Sequence, residues 1–569
     1  MSIYSSTPLR LTNLALLALM TLGACTPVEE PEPTVSDKMP RTMSIDIAGV
    51  PAGGVTPVDH VGAWSADGYV LGWVRTVAIG NDFEVVHLTS EGFVQKGFYL
   101  NHPVTGATKL ALASNRAALI SGDTLWGEIQ SSNGGWGRGI PGTHTVLDVT
   151  VNPVGGVSLL LDKSGTLILA DVDGAGTLVE AVEIGESVVP LGTQGLNPES
   201  YLTRVQLPGG ASIPIVVTRP STGELRLIRV NHGTDNQFTE IITPAVGEFI
   251  LAEEPLIHGA DGSLWICGGS LHEGVDQIDL LQFTFDSLGV PTMVQSLAIE
   301  APSPFVDLEL DRVIEAGSLV PGMAGFFVAG RVSDLIETLG FVAHVEPGVG
   351  ANWAVILSDN VGSTVTSVQL GRPEEASASN PLVVNAVLDR VGGQPYTAFW
   401  SLDPVSGVND PGNEFLLEQN VPSQTMQMGN RWLYSTVLVE GPGHGLLTTN
   451  MSEEGFWVTD AIPAGSPFVA MGDYGTERLF FGMPDNEPAV TSWTQTGPRG
   501  GAGCVFNSDT PPLALETVMV NPADVMPLVG AGWTSTPVLP MPTTPDPAMV
   551  LSPLPAPLIL SGTTVNLCP

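Results

Sequence analysis

Short apolar runs, each closed by glycine, aspartate or proline, recur along this chain at intervals of about 50 residues. They read YVLGWV at 69–74, AALI at 117–120, VSLLL at 157–161, IPIVV at 213–217, LWIC at 264–267, FFVA at 326–329, LVVNAVL at 382–388, LYSTVLV at 433–439 and LFF at 479–481. An amphipathic helix would need apolar residues every three or four positions over ten or more, and that period is almost absent after residue 25. The turn dipeptides Asp67-Gly68, Gly155-Gly156 and Asp261-Gly262 stand just ahead of three runs, where two-residue hairpins form. Many units share a second half, in which a glycine is followed by about ten variable residues and a further strand. GADGSLWICGGSLHEGVDQIDLLQFTFDSLG at 259–289 and FFVAGRVSDLIETLGFVAHVEPG at 326–348 align on that glycine. The pattern predicts an all-β chain of four-strand units, nine of which fit between residues 64 and 495.

Gly 66 and Pro 47, scattered rather than in tracts, suit many short strands and turns, and 43% hydrophobic residues argue against disorder. In this respect residues 60–495 resemble bacterial β-propeller repeats, which implies about seven to nine irregular blades. No repeated Gly-His/Trp-Asp or Kelch signature accompanies the resemblance, and stacked β-sandwiches are the alternative. From residue 500 the texture turns proline-rich, so 500–569 is expected to be a C-terminal extension.

Residues 11–33 read LTNLALLALMTLGACTPVEEPEP. The apolar run at 14–24 is too short for a membrane span, which takes roughly 20 residues. It has the weakly basic start, apolar centre and small-residue end of an export signal. Leu22-Gly23-Ala24-Cys25 resembles the lipobox of bacterial lipoproteins. That resemblance covers only the first 25 residues or so, and it implies a signal peptide at 1–24 and Cys25 as the lipid-bearing first residue. Several acyl chains, palmitate among them, then give durable anchoring at about 0.8 kcal/mol per buried methylene. Thr26, where aspartate favours the inner membrane, implies the outer membrane. Residues 25–45, rich in proline and glutamate, read as a disordered tether with a reach of up to ~60 Å.

The formal net charge is −39, and lysine occurs only at Lys38, Lys96, Lys109 and Lys163. A surface of this sign repels phosphates and anionic headgroups, which excludes nucleic acid as a partner. With Cys25 acylated, three of the 4 cysteines remain. Cys504 and Cys568 bracket the C-terminal segment and are expected to pair, a bridge able to contribute about 4 kcal/mol. Cys267 lies within an apolar run and reads as a buried thiol.

The sequence names no catalytic residue, metal ligand or cofactor. It has no G-x-S-x-G elbow, P-loop or H-E-x-x-H, and His272-Glu273 lacks a second histidine. Asp171-Val172-Asp173-Gly174-Ala175-Gly176 is the nearest approach to a calcium loop. However, Ala175 stands where an oxygen ligand belongs and the closing glutamate is missing, so a hairpin turn is expected. YTAFWSLDPVSG at 396–407 resembles one strand and turn of quinoprotein-type propellers. It stands once, and the 11 tryptophans share no phase of the repeat, so the docking tryptophan of that family is not expected. The expectation is a lipid-anchored extracytoplasmic protein with a non-catalytic binding or scaffold domain. Its partners would be the bilayer, through Cys25, and an envelope protein or polysaccharide. The alternative is a propeller enzyme, a glycan hydrolase or lyase with its site in the central channel.

Overall fold

The computed structural model describes most residues between Thr42 and Asn566. Residues 1–41 and 567–569, and connecting segments such as 187–199, 372–381 and 460–468, lie outside the described residues. What is described is nearly all β, with one helical turn at Ala316–Leu319 and a 3-10 turn at Pro522–Val525. Among the described residues no helix is long and apolar enough to cross a membrane.

The strands form nine antiparallel sheets. Numbered along the chain, their consecutive strands span 54–100, 108–139, 145–186, 200–243, 249–300, 307–359, 364–418 and 426–459 for sheets 1 to 8. Sheet 9 takes Val469–Tyr474, Glu477–Gly482 and Ala489–Thr494, then the early strand Thr42–Ile47. The expected tether over 25–45 therefore overlaps a strand: Thr42, Met43 and Ser44 pair with Thr491, Val490 and Ala489.

All nine apolar runs coincide with the second strand of a sheet, as in Val157–Lys163, Leu264–His272, Phe326–Ser333 and Leu382–Asp389. A second strand has a neighbour on each side, and in sheets 2 to 7, where burial is described, both its faces are covered. Leu159, Leu160 and Leu161 are all buried, as is every residue from Leu382 to Leu388. A strand covered on both faces reads as a continuous apolar run rather than an alternation, as Val157–Leu161 and Leu382–Leu388 do.

Each sheet packs on the next. One core cluster joins Val85 and Phe98 of sheet 1 to Leu119 and Trp126 of sheet 2. Others join sheets 2 and 3, 3 and 4, 4 and 5, 5 and 6, and 6 and 7. Backbone contacts continue the series: Thr364–Gly371 lies on Met426–Met428, and Trp432–Val439 lies on Val469–Tyr474. Val469–Tyr474 in turn meets Gly62–Trp64 of sheet 1, so the succession returns to its start.

Residues from 505 onward do not form a separate extension. They retrace the sheets in reverse, each short strand adding antiparallel to a fourth strand. Val505–Asn507 joins sheet 8, Leu515–Val520 sheet 6, Leu528–Val529 sheet 5 and Thr534–Met541 sheet 4. Thr544–Pro545 joins sheet 3, Ser552–Leu554 sheet 2, Leu558–Leu560 sheet 1 and Gly562–Asn566 sheet 9. Among the described residues sheet 7 alone keeps four strands. An edge strand uses its backbone groups on one side only, so it tolerates proline, and Pro537, Pro545 and Pro553 all sit in these ladders.

Candidate functional site

The chemistry-bearing side chains gather in the seams between sheets. First strands carry β-bulges. In Thr145–Val151 the register shifts between Val146 and Asp148, and in Asp307–Glu315 between Leu310 and Arg312. A bulge re-aims a side chain, and in both cases an aspartate reaches the first strand of the following sheet. Asp148 Oδ2 accepts the Leu202 backbone N–H at 2.7 Å, while its Oδ1 accepts that of Val149 at 2.9 Å. Asp311 Oδ2 accepts the Val368 N–H at 2.8 Å and also takes the Arg331 guanidinium.

Two tryptophans dock across seams. Trp353, on the fourth strand of sheet 6, donates its indole N–H to the Pro404 carbonyl at 3.0 Å and lies against Gly407 of sheet 7. Trp136 of sheet 2 donates to Gly174 O at 3.2 Å and lies against Gly176 of sheet 3. Arg138 adds bonds to the carbonyls of Gly176 and Ala175. Both receiving turns open on an aspartate: Asp403 Oδ1 accepts from Val405 and Ser406, and Asp173 Oδ1 accepts from Ala175 and Thr177. Gly407 and Gly176 have φ of 69° and 78°, and a Cβ on Gly407 would meet the Trp353 ring at 2.6 Å. At Gly289 of sheet 5, with φ 79°, Ile213 and Arg229 of sheet 4 occupy the same place. Among the described residues these two are aromatics packed between sheets and not a docking tryptophan repeated from unit to unit. Each tryptophan precedes its turn by a whole unit, and with two of them in nine sheets no common phase was visible.

Buried polar contacts complete the seams. His87 Nε2 of sheet 1 lies 2.7 Å from Glu128 Oε1 of sheet 2, and Lys96 Nζ is 3.4 Å from the same oxygen. Glu128 Oε2 accepts the Ala117 N–H at 2.9 Å. Burial holds the His87 imidazole down at about 4 despite its bond to Glu128. On the returning C-terminal segment, Asp546 Oδ2 lies 2.6 Å from His144 Nε2 and Oδ1 takes the Lys163 ammonium. Burial opposes the charge on Asp546, yet the bonds from Lys163, His144 and the Ala548 N–H hold its carboxyl below the usual range. The same segment buries Met549 between sheets 2 and 3 and Val525 between sheets 5 and 6. Two of the four lysines are thereby committed to seams.

Of the residues the sequence singled out, Cys25, Cys504 and Cys568 lie outside the described residues. Cys267 is free and fully buried in Leu264–His272, where burial pushes its thiol far up. In the loop at 171–176, Asp171 Oδ1 accepts from Ser158 Oγ at 2.6 Å and Asp173 caps its own turn. Among the described residues no three His, Cys, Asp or Glu side chains are grouped to hold a metal ion. Asp148, Asp311 and Glu128 reach a neighbouring sheet and Asp546 fastens the returning segment, while Asp173, Asp286, Asp334 and Asp403 cap their own turns.

No protein-family profile matches the chain, and no curated protein matches it in sequence. Solved structures overlap it loosely. The WD40 domain of SCAP from fission yeast shares 11% identity with a TM-score of 0.37, covering 81% of this chain and 98% of its own. A protein from Lactobacillus plantarum shares 14% at 0.29, covering 67% and 96%. A protein of unknown function from Bacteroides caccae shares 10% at 0.23, covering 56% and 90%. All three scores fall below 0.5, where a common overall shape is not established.

Proposed function

We propose that the chain is a lipid-anchored extracytoplasmic protein whose nine sheets close into a β-propeller of nine blades, a non-catalytic platform for an envelope protein or polysaccharide. The observation that carries the platform reading is the use of the described acidic and basic side chains. Asp148, Asp311, Glu128 and Asp546 each bind a neighbouring sheet or fasten the returning segment, which favours a stiff body over a reactive centre. The return of the sheet succession to its start supports the ring, and Leu22-Gly23-Ala24-Cys25 supports the anchor.

Anchoring is tested by feeding producing cells an alkyne-tagged palmitate. The wild type should take up label and sediment with membranes, whereas Cys25→Ala should lose the label and either appear in the soluble fraction or keep its signal peptide. Equal labelling and retention of the variant refutes the anchor. Incubation of the purified protein with envelope polysaccharide separates platform from enzyme: saturable retention without new reducing or unsaturated ends is expected, and release of shortened glycan overturns the non-catalytic reading.

A further inference from the structure

We propose that Leu515–Val520, the outer strand of sheet 6, binds an extended, basic-flanked segment of a partner protein as a sixth strand. The inference begins with the circuit of the returning segment. Each of its strands adds to a fourth strand and so becomes the new rim of that sheet. A rim strand presents a row of backbone N–H and C=O groups, and proteins blunt such edges by shortness, proline or charge. Val505–Asn507, Leu528–Val529, Thr544–Pro545, Ser552–Leu554 and Leu558–Leu560 are two or three residues long. Thr534–Met541 carries Pro537 and Pro540, Gly562–Asn566 is mostly polar, and sheet 7 ends on the four residues Phe415–Glu418. Leu515–Val520 differs from all of them: six residues, LETVMV, with neither proline nor glycine. Its threonine and two valines favour extended pairing.

The strand is held on one side. Its ladder with Gly350–Asp359 runs from Leu515 opposite Asp359 to Val520 opposite Ala354, and among the described residues nothing pairs with its other side. The residues that hold it, Ala354, Val355, Ile356 and Leu357, are all buried, so the edge is presented by the core of sheet 6. Val518 and Met519, successive and therefore on opposite faces, are 56% and 49% exposed. An incoming strand lies beside both, so it is recognised by apolar side chains at two successive positions rather than by an alternation.

Charge decides the occupant. The strand has one ionisable residue, Glu516, and the chain a net charge of −39. A second copy would bring the same charge to the same edge, whereas lysine or arginine flanking the incoming strand is drawn to it. An open ladder also matches the donor and acceptor spacing of an extended polypeptide and not that of a sugar chain. Naming a protein as what the platform holds rests on the platform reading above, whereas the open edge does not.

The probe is a short synthetic peptide of threonine and valine with two adjacent isoleucines at its centre and lysine at both ends, added to the purified full chain. Saturable binding is expected, with slowed amide exchange at 515–520 and unchanged exchange in the outer strands of sheets 1 to 5. The same peptide ended by glutamate should bind several-fold more weakly, and the difference should shrink as salt is raised. Val518→Lys puts a charge on a half-exposed edge position and should abolish binding at an unchanged melting temperature; Met519→Lys serves if the first variant does not fold. Exchange at 515–520 that the peptide does not slow, binding that survives the substitution, or equal binding of the two peptides overturns the proposal. So does a dimer in sedimentation that Val518→Lys dissolves, since the occupant is then a second copy. Failure of the peptide with polysaccharide still retained removes the edge site and leaves the platform. Release of shortened glycan by a chain that binds the peptide removes the non-catalytic platform and keeps the edge site.

Discussion

At the scale of single residues, the seams rest on glycines that admit an indole and on carboxylates that cross from sheet to sheet. Gly176→Ala and Gly407→Ala each place a Cβ inside a docked tryptophan and force a left-handed backbone on alanine. A loss of about 2–4 kcal/mol in chemical denaturation is expected for either, while Gly165→Ala, at φ 87° with open space around it, should lose only about 1 kcal/mol. Asp148→Ala orphans the Leu202 N–H and should lose about 1–3 kcal/mol. His87 carries a pH dependence. Its folded pKa, near 4, is below the ordinary 6.5, so on acidification the unfolded chain takes up a proton first. The contribution of the neutral imidazole is complete above pH 6.5 and is lost as pH falls towards 4, about 3 kcal/mol in all. His87→Gln should lose less stability than the wild type across that interval in urea titrations at stepped pH. Parallel losses would show that His87 is not neutral in the fold.

At the scale of strands, what could be read from sequence depended on how much of each strand is covered. Second strands such as Val157–Lys163 and Leu382–Asp389 are enclosed on both faces and announced themselves as apolar runs. The outer strands of the C-terminal segment have one partner, and where burial is described, at 517–520, 544–545 and 552–554, no residue is buried. Thr544–Pro545 is exposed on both residues, so proline and threonine cost nothing there and the sequence looked like an extension. The seam contacts were hidden for another reason, since Trp136 and Gly174 are 38 residues apart and His144 and Asp546 are 402 apart. Neither spacing belongs to a local motif. A chain ending at residue 543 would lack the outer strands of sheets 3, 2, 1 and 9 and the Asp546 and Met549 anchors. Hydrogen exchange should then rise several-fold in those four sheets while sheets 5, 6 and 7 keep wild-type protection. Uniform loss across all nine would show that the circuit acts as one unit.

At the scale of the whole molecule, a net charge of −39 on one body with 20 basic residues is a source of self-repulsion that salt screens. Raising sodium chloride from about 10 mM to about 1 M should raise the melting temperature by several degrees, and an unchanged value would place the carboxylates too far apart to matter. Particle images of the monomer test the ring directly: nine radial densities are expected, and seven or eight would mean that described sheets merge.

The reversed course of the C-terminal segment also sets a timetable. Strand partners such as Met43 and Asn566 lie at opposite ends of the chain, and Tyr99 waits for Leu558. As the chain emerges amino end first, the earliest sheets to appear are the last to receive their outer strand, and among the described residues only sheet 7 takes all its strands from its own neighbourhood. Contacts so remote in sequence form late and slowly. Maturation of the fold is therefore tied to delivery of residues 505–566, and a chain interrupted before them carries open edges on the sheets it made first. The molecule is built so that the sheets it makes first are sealed only when residues 505–566 reach them.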